Sequence, residues 1–119
     1  MRRQTHLFIG TIAFFAYTFP LYLFLQISPA MVLPGFFATA FGSVMPDVLE
    51  PARHRGHRGI GHSRRAMRLA GWVFVLTAVL GLFQAADRAL SFSYIVSCFF
   101  LGYALHLLAD GTTPAGLPE

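Results

Sequence analysis

The stretch from Leu7 to Pro46, LFIGTIAFFAYTFPLYLFLQISPAMVLPGFFATAFGSVMP, runs for 40 residues without a formal charge. At about 1.5 Å of rise per residue it makes about 60 Å of helix, twice the hydrocarbon thickness of a bilayer of about 30 Å. A single crossing cannot use that length. The turn falls at Gln26-Ile27-Ser28-Pro29, where Ser28 caps a new helix whose first residue is Pro29. Two spans follow, roughly 7–27 and 30–45, the second ended by Pro46. The apolar part of the first is about 20 residues, longer than the 7–15 of a secretory leader, so it is expected to stay in place as a span.

Outward from this stretch the same counting gives a third span at 69–86 and a fourth at 89–109, with Asp87-Arg88 as the turn between them. Gly111 then stands where a helix C-terminal glycine is expected. Of the 119 residues, 55% are hydrophobic and 12% charged, with a mean hydropathy of +0.59. Soluble domains carry about 25% charged residues, so a soluble globule, a disordered segment and a low-complexity fibre are excluded. The one cysteine, Cys98, excludes a disulfide framework and a thiolate zinc site. The expectation is an all-α polytopic membrane protein, a single domain over 1–119 forming a compact four-transmembrane-helix bundle. Small residues at Gly10, Gly35, Ala38 or Thr39, Gly42, Ala78, Gly81 and Gly102 would let its helices approach closely in lipid.

All nine basic residues are arginine, and the net charge is +4. With four spans, Arg2, Arg3, Arg53, Arg55, Arg58, Arg64, Arg65 and Arg68 share one side and only Arg88 lies on the other. The positive-inside rule then makes both termini and the 47–68 loop cytoplasmic, in the cell (inner or plasma) membrane.

On that topology the titratable residues gather at one face. His6 opens span one, Asp47 follows Pro46, His54, His57 and His62 lie in the loop, and His106 and Asp110 end span four. A simple anchor has no reason to collect them. His106 and Asp110 are four apart, hence on one helix face, and an Asp within a span costs roughly 2.5–3.5 kcal/mol at mid-helix, so such residues default to function. Their spacing suits two ligands of one metal. The loop places three His and three Gly between Arg53 and His62. Glycines admit a ligand close to the backbone, arginine forks match phosphate oxygens, and neutral imidazole binds zinc. His62 is the preferred ligand among the loop histidines, with His54 and His57 supporting it or facing phosphate. Ser63 is expected to cap the following helix.

These motifs, Thr5-His6, Met45-Pro46-Asp47 with Glu50-Pro51, His57-Arg58-Gly59 with His62-Ser63, and Gly102-Tyr103 with His106, Asp110 and Thr113-Pro114-Ala115-Gly116, resemble the YdjM-like membrane-bound metal-dependent hydrolases. Their ligand pattern is similar to that of the all-helical zinc-dependent phospholipases C and single-strand-specific zinc nucleases. The resemblance implies Asp47, His62, His106 and Asp110 around one divalent ion, most simply Zn2+, and His6 with a shared Asp110 around a second. The chain differs in an extra His54-Arg55-Gly56 and in having no His/Glu cluster after Asp110. The expected activity is hydrolysis of a phosphoester, a phospholipid included, at the cytoplasmic membrane face. Asp47 and His62 would be catalytic, and Arg55, His57, Arg58 and Arg64 would bind the phosphate. Expected partners are membrane lipids with anionic headgroups and the phosphoester substrate, with nucleic acid a lesser prospect. The competing class is a non-catalytic membrane protein with a structural metal site and an arginine loop on anionic lipid. A pore is disfavoured, because the span middles carry only Thr, Ser, Tyr or Cys as polar residues.

Overall fold

In the computed structural model, residues 3–25, 27–51, 59–84, 90–114 and 116–118 are described, and they are helical with short connections and no strand. Four helices form: α1 (Arg3–Leu25), α2 (Val32–Leu49), α3 (Arg64–Gln84) and α4 (Leu90–Gly111). A 3-10 turn at Pro29–Met31 leads into α2 and another at Ile60–His62 leads into α3. Ser28 caps the first of these, its Oγ accepting from the Ala30 N–H at 3.3 Å. Ser63 caps α3, its Oγ accepting from the Ala66 N–H at 3.1 Å. The bundle measures 47 × 24 × 20 Å, and α4 is its centre, packing against the other three helices.

α1, the Pro29–Leu49 segment and α4 are each long and apolar enough to cross a membrane. α3 starts on Arg64, Arg65 and Arg68 and becomes apolar only from Leu69. Large apolar side chains face outward in rows: Phe8, Ile12, Phe15 and Phe19 on α1, Leu33, Phe37 and Phe41 on α2, Leu69, Trp72, Leu76 and Val79 on α3. Such rows suit a hydrocarbon surround and would be an aggregation hazard in water.

The inward faces follow a different rule. Each of three helices buries a row at every fourth residue: His6, Gly10, Phe14, Thr18 on α1; Gly35, Thr39, Ser43 on α2, continued by the half-buried Asp47; Tyr94, Cys98, Gly102, His106, Asp110 on α4. Rows of this spacing are the ridges that interlock when helices pack. At their wide end, Phe14, Ile27, Tyr94 and Cys98 form an apolar core, crossed by hydrogen bonds of 2.7 Å (Thr18 to Tyr94) and 2.8 Å (Tyr17 to Ser97). At the other end the side chains vanish. A Cβ on Gly42 would strike the Phe99 carbonyl of α4, one on Gly102 would strike the Thr39 carbonyl of α2, and one on Gly10 would strike Ser43 Oγ. The backbones of α2 and α4 therefore meet almost directly, and α1 closes on them at Ser43, one turn from His6, Asp47 and His106.

Two local expectations are corrected. α2 does not end at Pro46 but runs through it to Leu49. Proline removes the N–H that would bond the Gly42 carbonyl, yet Pro46 is wholly buried, and the turn closes beyond it with Glu50 N–H donating to the Pro46 carbonyl at 3.0 Å. Packing outweighs the local break, and the extra turn carries Asp47. Gly111 is not a residue beyond the helix; it is the last residue of α4, and the glycine with positive φ (60°) is Gly116. Threonine hydroxyls do the capping instead, Thr112 Oγ1 donating to the Ala109 carbonyl at 2.6 Å and Thr113 Oγ1 to that of Asp110 at 2.7 Å.

Gly102→Val should lower stability by about 1–3 kcal/mol through overpacking. Gly71→Ala, where nothing lies within 4 Å of an added Cβ, should be neutral or stabilising by up to about 1 kcal/mol. Unfolding of both variants in detergent micelles measures the difference.

Candidate metal centre

The tight end of the bundle places four ionisable side chains by geometry alone. His6 comes from the first turn of α1, Asp47 from the last turn of α2, and His106 and Asp110 from the last two turns of α4. The 3-10 turn before α3 brings in His62. Among these, His6, His62, His106 and Asp110 are buried, whereas the Asp47 side chain is 32% exposed and forms the open edge.

Imidazole nitrogens and carboxylate oxygens face each other across the cluster. His106 Nε2 lies 3.5 Å from Asp47 Oδ1 and 3.4 Å from Asp110 Oδ2. His62 Nε2 lies 3.5 Å from Asp47 Oδ1 and 4.0 Å from Asp110 Oδ2. His6 Nε2 is 3.3 Å from Asp110 Oδ1, and the His6 ring stacks on that of His106 with centroids 3.8 Å apart. Asp110 thus stands between His6 on one oxygen and His62 and His106 on the other.

The far nitrogens decide what these contacts mean. His106 Nδ1 is 2.6 Å from the Ser43 carbonyl, and a carbonyl can only accept, so Nδ1 carries the proton. His62 Nδ1 is 3.1 Å from Glu50 Oε2 and donates to that carboxylate. In the neutral form of these rings, with the one N–H on Nδ1, both Nε2 atoms present lone pairs to carboxylate oxygens. His106 Nε2 is buried without a hydrogen-bond partner. Lone pairs opposed to anions are unfavourable unless a cation lies between them. A proton alone would draw them to about 2.7–3.0 Å. Four ligands at 2.0–2.2 Å from a tetrahedral ion are about 3.3–3.6 Å apart. Three of the four contacts of His62 and His106 with Asp47 and Asp110 fall within that range. Two triads, His6/Asp47/His106 and His62/His106/Asp110, have donor atoms within 4.8 Å of one another. The donor set of imidazole and carboxylate suits zinc, and also manganese, iron or nickel.

Glu50 was not singled out from sequence as a site residue, although its place in the Asp47/Glu50 motif was a signal. Its Oε1 accepts from the Gly61 N–H at 2.9 Å and its Oε2 from the His62 N–H at 3.2 Å. Burial pushes its carboxyl up, but the donors from Gly61 and His62 outweigh that and hold it below the ordinary value. Tyr103 OH donates to the Gly61 carbonyl at 3.0 Å and ties the same turn to α4. Arg64 heads α3 and borders a cavity of about 200 Å³ with Met67, Leu108, Gly111, Thr112 and Leu117. His54, Arg55, His57 and Arg58 lie outside the described residues.

The family model for the YdjM inner membrane protein matches residues 1–118, and the chain belongs to that family. No curated protein and no solved structure matches it.

Tyr103→Phe removes one hydrogen bond to the 60–62 turn and should cost about 0.5–1.5 kcal/mol of stability. Denaturant titration in micelles, with helix content unchanged by circular dichroism, checks this.

Proposed function

We propose that this member of the YdjM inner membrane protein family is a metal-dependent hydrolase, most simply zinc-dependent, that cleaves a phosphoester at the cytoplasmic face of the membrane. The observation that carries the reading is the approach of His62 Nε2 and His106 Nε2 to Asp47 Oδ1, each at 3.5 Å, and of His106 Nε2 to Asp110 Oδ2 at 3.4 Å, the spacing of ligands that share an ion, with both Nδ1 atoms already engaged. A histidine that donates its second nitrogen to a carbonyl or carboxylate is the usual form of a metal ligand. His6 and the outer side of Asp110 supply donors for a second ion.

Bound there, the ion supplies Lewis acidity toward a phosphoryl oxygen and lowers the pKa of a coordinated water to about 7. The chain's own residues do the rest. Asp47, at the open edge, accepts the proton of the attacking water or completes the ligand set. Asp110, buried behind it, would be shared by the two donor groups, Oδ1 facing His6 and Oδ2 facing His106. Arg55, Arg58 and Arg64, with His57, hold the phosphate by paired hydrogen bonds. A site at headgroup height favours a phospholipid phosphoester over a soluble one. The topology proposed with this function has four crossings, α3 being the fourth, with both termini and the arginine loop on the cytoplasmic side.

A second reading has its own support: His62, His106 and Asp110 form a wholly buried triad of protein donors, which suits a closed structural site. The exposure of Asp47, 32% against 7% for Asp110, favours the open, catalytic form.

Metal analysis of protein purified in detergent should find about one or two zinc or similar ions per chain, and His106→Ala and Asp110→Asn should abolish uptake. Chelation should stop hydrolysis of a short-chain phospholipid, and zinc should restore it. Asp47→Asn should cut turnover by about 10²-fold or more; ion retained in that variant assigns Asp47 as base, ion lost assigns it as ligand. Ion present with no phosphoester cleaved would establish the structural reading, and native protein without ion would end both.

A further inference from the structure

We infer that Glu50 is the positioning residue of the centre: it selects the Nδ1–H tautomer of His62 and anchors the turn that delivers this ligand. The inference rests on the metal reading above and adds a residue that sets the ion's affinity from outside its ligand shell.

Glu50 caps α2 three residues after Asp47, and its carboxylate receives three donors, all from one short turn. Oε1 takes the Gly61 N–H at 2.9 Å, while Oε2 takes the His62 N–H at 3.2 Å and the His62 Nδ1–H at 3.1 Å. The turn is built to admit that carboxylate. A Cβ on Gly59 would strike Glu50 Oε1, and one on Gly61 would lie 3.2 Å from Glu50 Cδ. Glycine at both positions leaves room for the carboxylate against the backbone. Three consequences meet in one side chain: the turn is fixed in place, the ring is fixed in rotation, and its proton is fixed on Nδ1. The lone pair on Nε2 is thereby turned toward Asp47 and Asp110. An anionic acceptor also makes the ring a stronger donor to a cation, which a neutral amide does far less.

Glu50→Gln keeps the size but offers one acceptor oxygen where the carboxylate has two. Zinc affinity of the full chain in micelles, measured by competition with a chromophoric chelator, should fall tenfold to hundredfold in this variant, the range for such outer partners. In protein labelled with 15N-histidine, NMR should show His62 as the Nδ1–H tautomer in the wild type and as a mixture in Glu50→Gln. Tyr103→Phe loosens the same turn and should leave the tautomer unchanged, which separates positioning from mere support. Glu50→Gln binding zinc as the wild type does, with His62 still Nδ1–H, overturns the inference alone. Wild-type protein that takes up no zinc overturns the metal reading and this inference together. If Glu50→Gln does not fold, the wild-type spectrum still decides: His62 found as Nε2–H overturns the role assigned to Glu50.

Discussion

The near-contact of the α2 and α4 backbones at Gly42 and Gly102, with α1 closing on Ser43 through Gly10, is the constraint on which the rest of the molecule depends. In lipid, apolar side chains gain little by leaving the tails, so helices are held by close packing and a few hydrogen bonds. Removing the side chains at one level brings the backbones together there. The residues one turn further along the same ridges are then forced into a space that holds little besides them. His6, Asp47, His106 and Asp110 occupy that turn. Their convergence is a product of helix register, and the bond from His106 to the Ser43 carbonyl at 2.6 Å locks the register of α4 against α2.

The four helices are readable in the chain, because bilayer thickness and helix rise turn a count of uncharged residues into a count of helices, and three of the four are long and apolar enough to cross a membrane. The small residues of α2 and α4 and the four-residue spacing of His106 and Asp110 were visible for the same reason. The every-fourth-residue rows are harder to read, since each taken singly is an ordinary mixture of small and aromatic residues and only the packing of three helices gives them a common face. Pro46 does not end α2, because burial there outweighs the local rule about backbone hydrogen bonding. Gly111 likewise does not cap α4, its expected role being taken by the hydroxyls of Thr112 and Thr113. Glu50 could be seen as a member of a motif, but its hold on Gly61 and His62 is a property of how a turn folds back. No periodicity announces such a contact.

The polarity of the bundle is graded along its length. One end is filled by Phe14, Tyr94 and Cys98, with hydroxyl pairs joining α1 to α4. The other end gives way to glycine, then to imidazole and carboxylate. Imidazole and carboxylate face each other there, the pairing under which charge persists at the margin of an apolar interior, while His106 Nε2 is left buried without a hydrogen-bond partner. Of the described carboxylates in the cluster, Asp47 is the more open to solvent, at 32% against 7% for Asp110.

The order of the ligands along the chain carries a consequence for biogenesis. His6 leaves the ribosome with the first helix, and its companion Asp110 belongs to the last, 104 positions later. An insertion product without α4 cannot assemble the cluster, because His106 and Asp110 both belong to that helix. A cation captured by the finished cluster would act as a rivet set after the final plate, making completion of the fold and completion of the site one event.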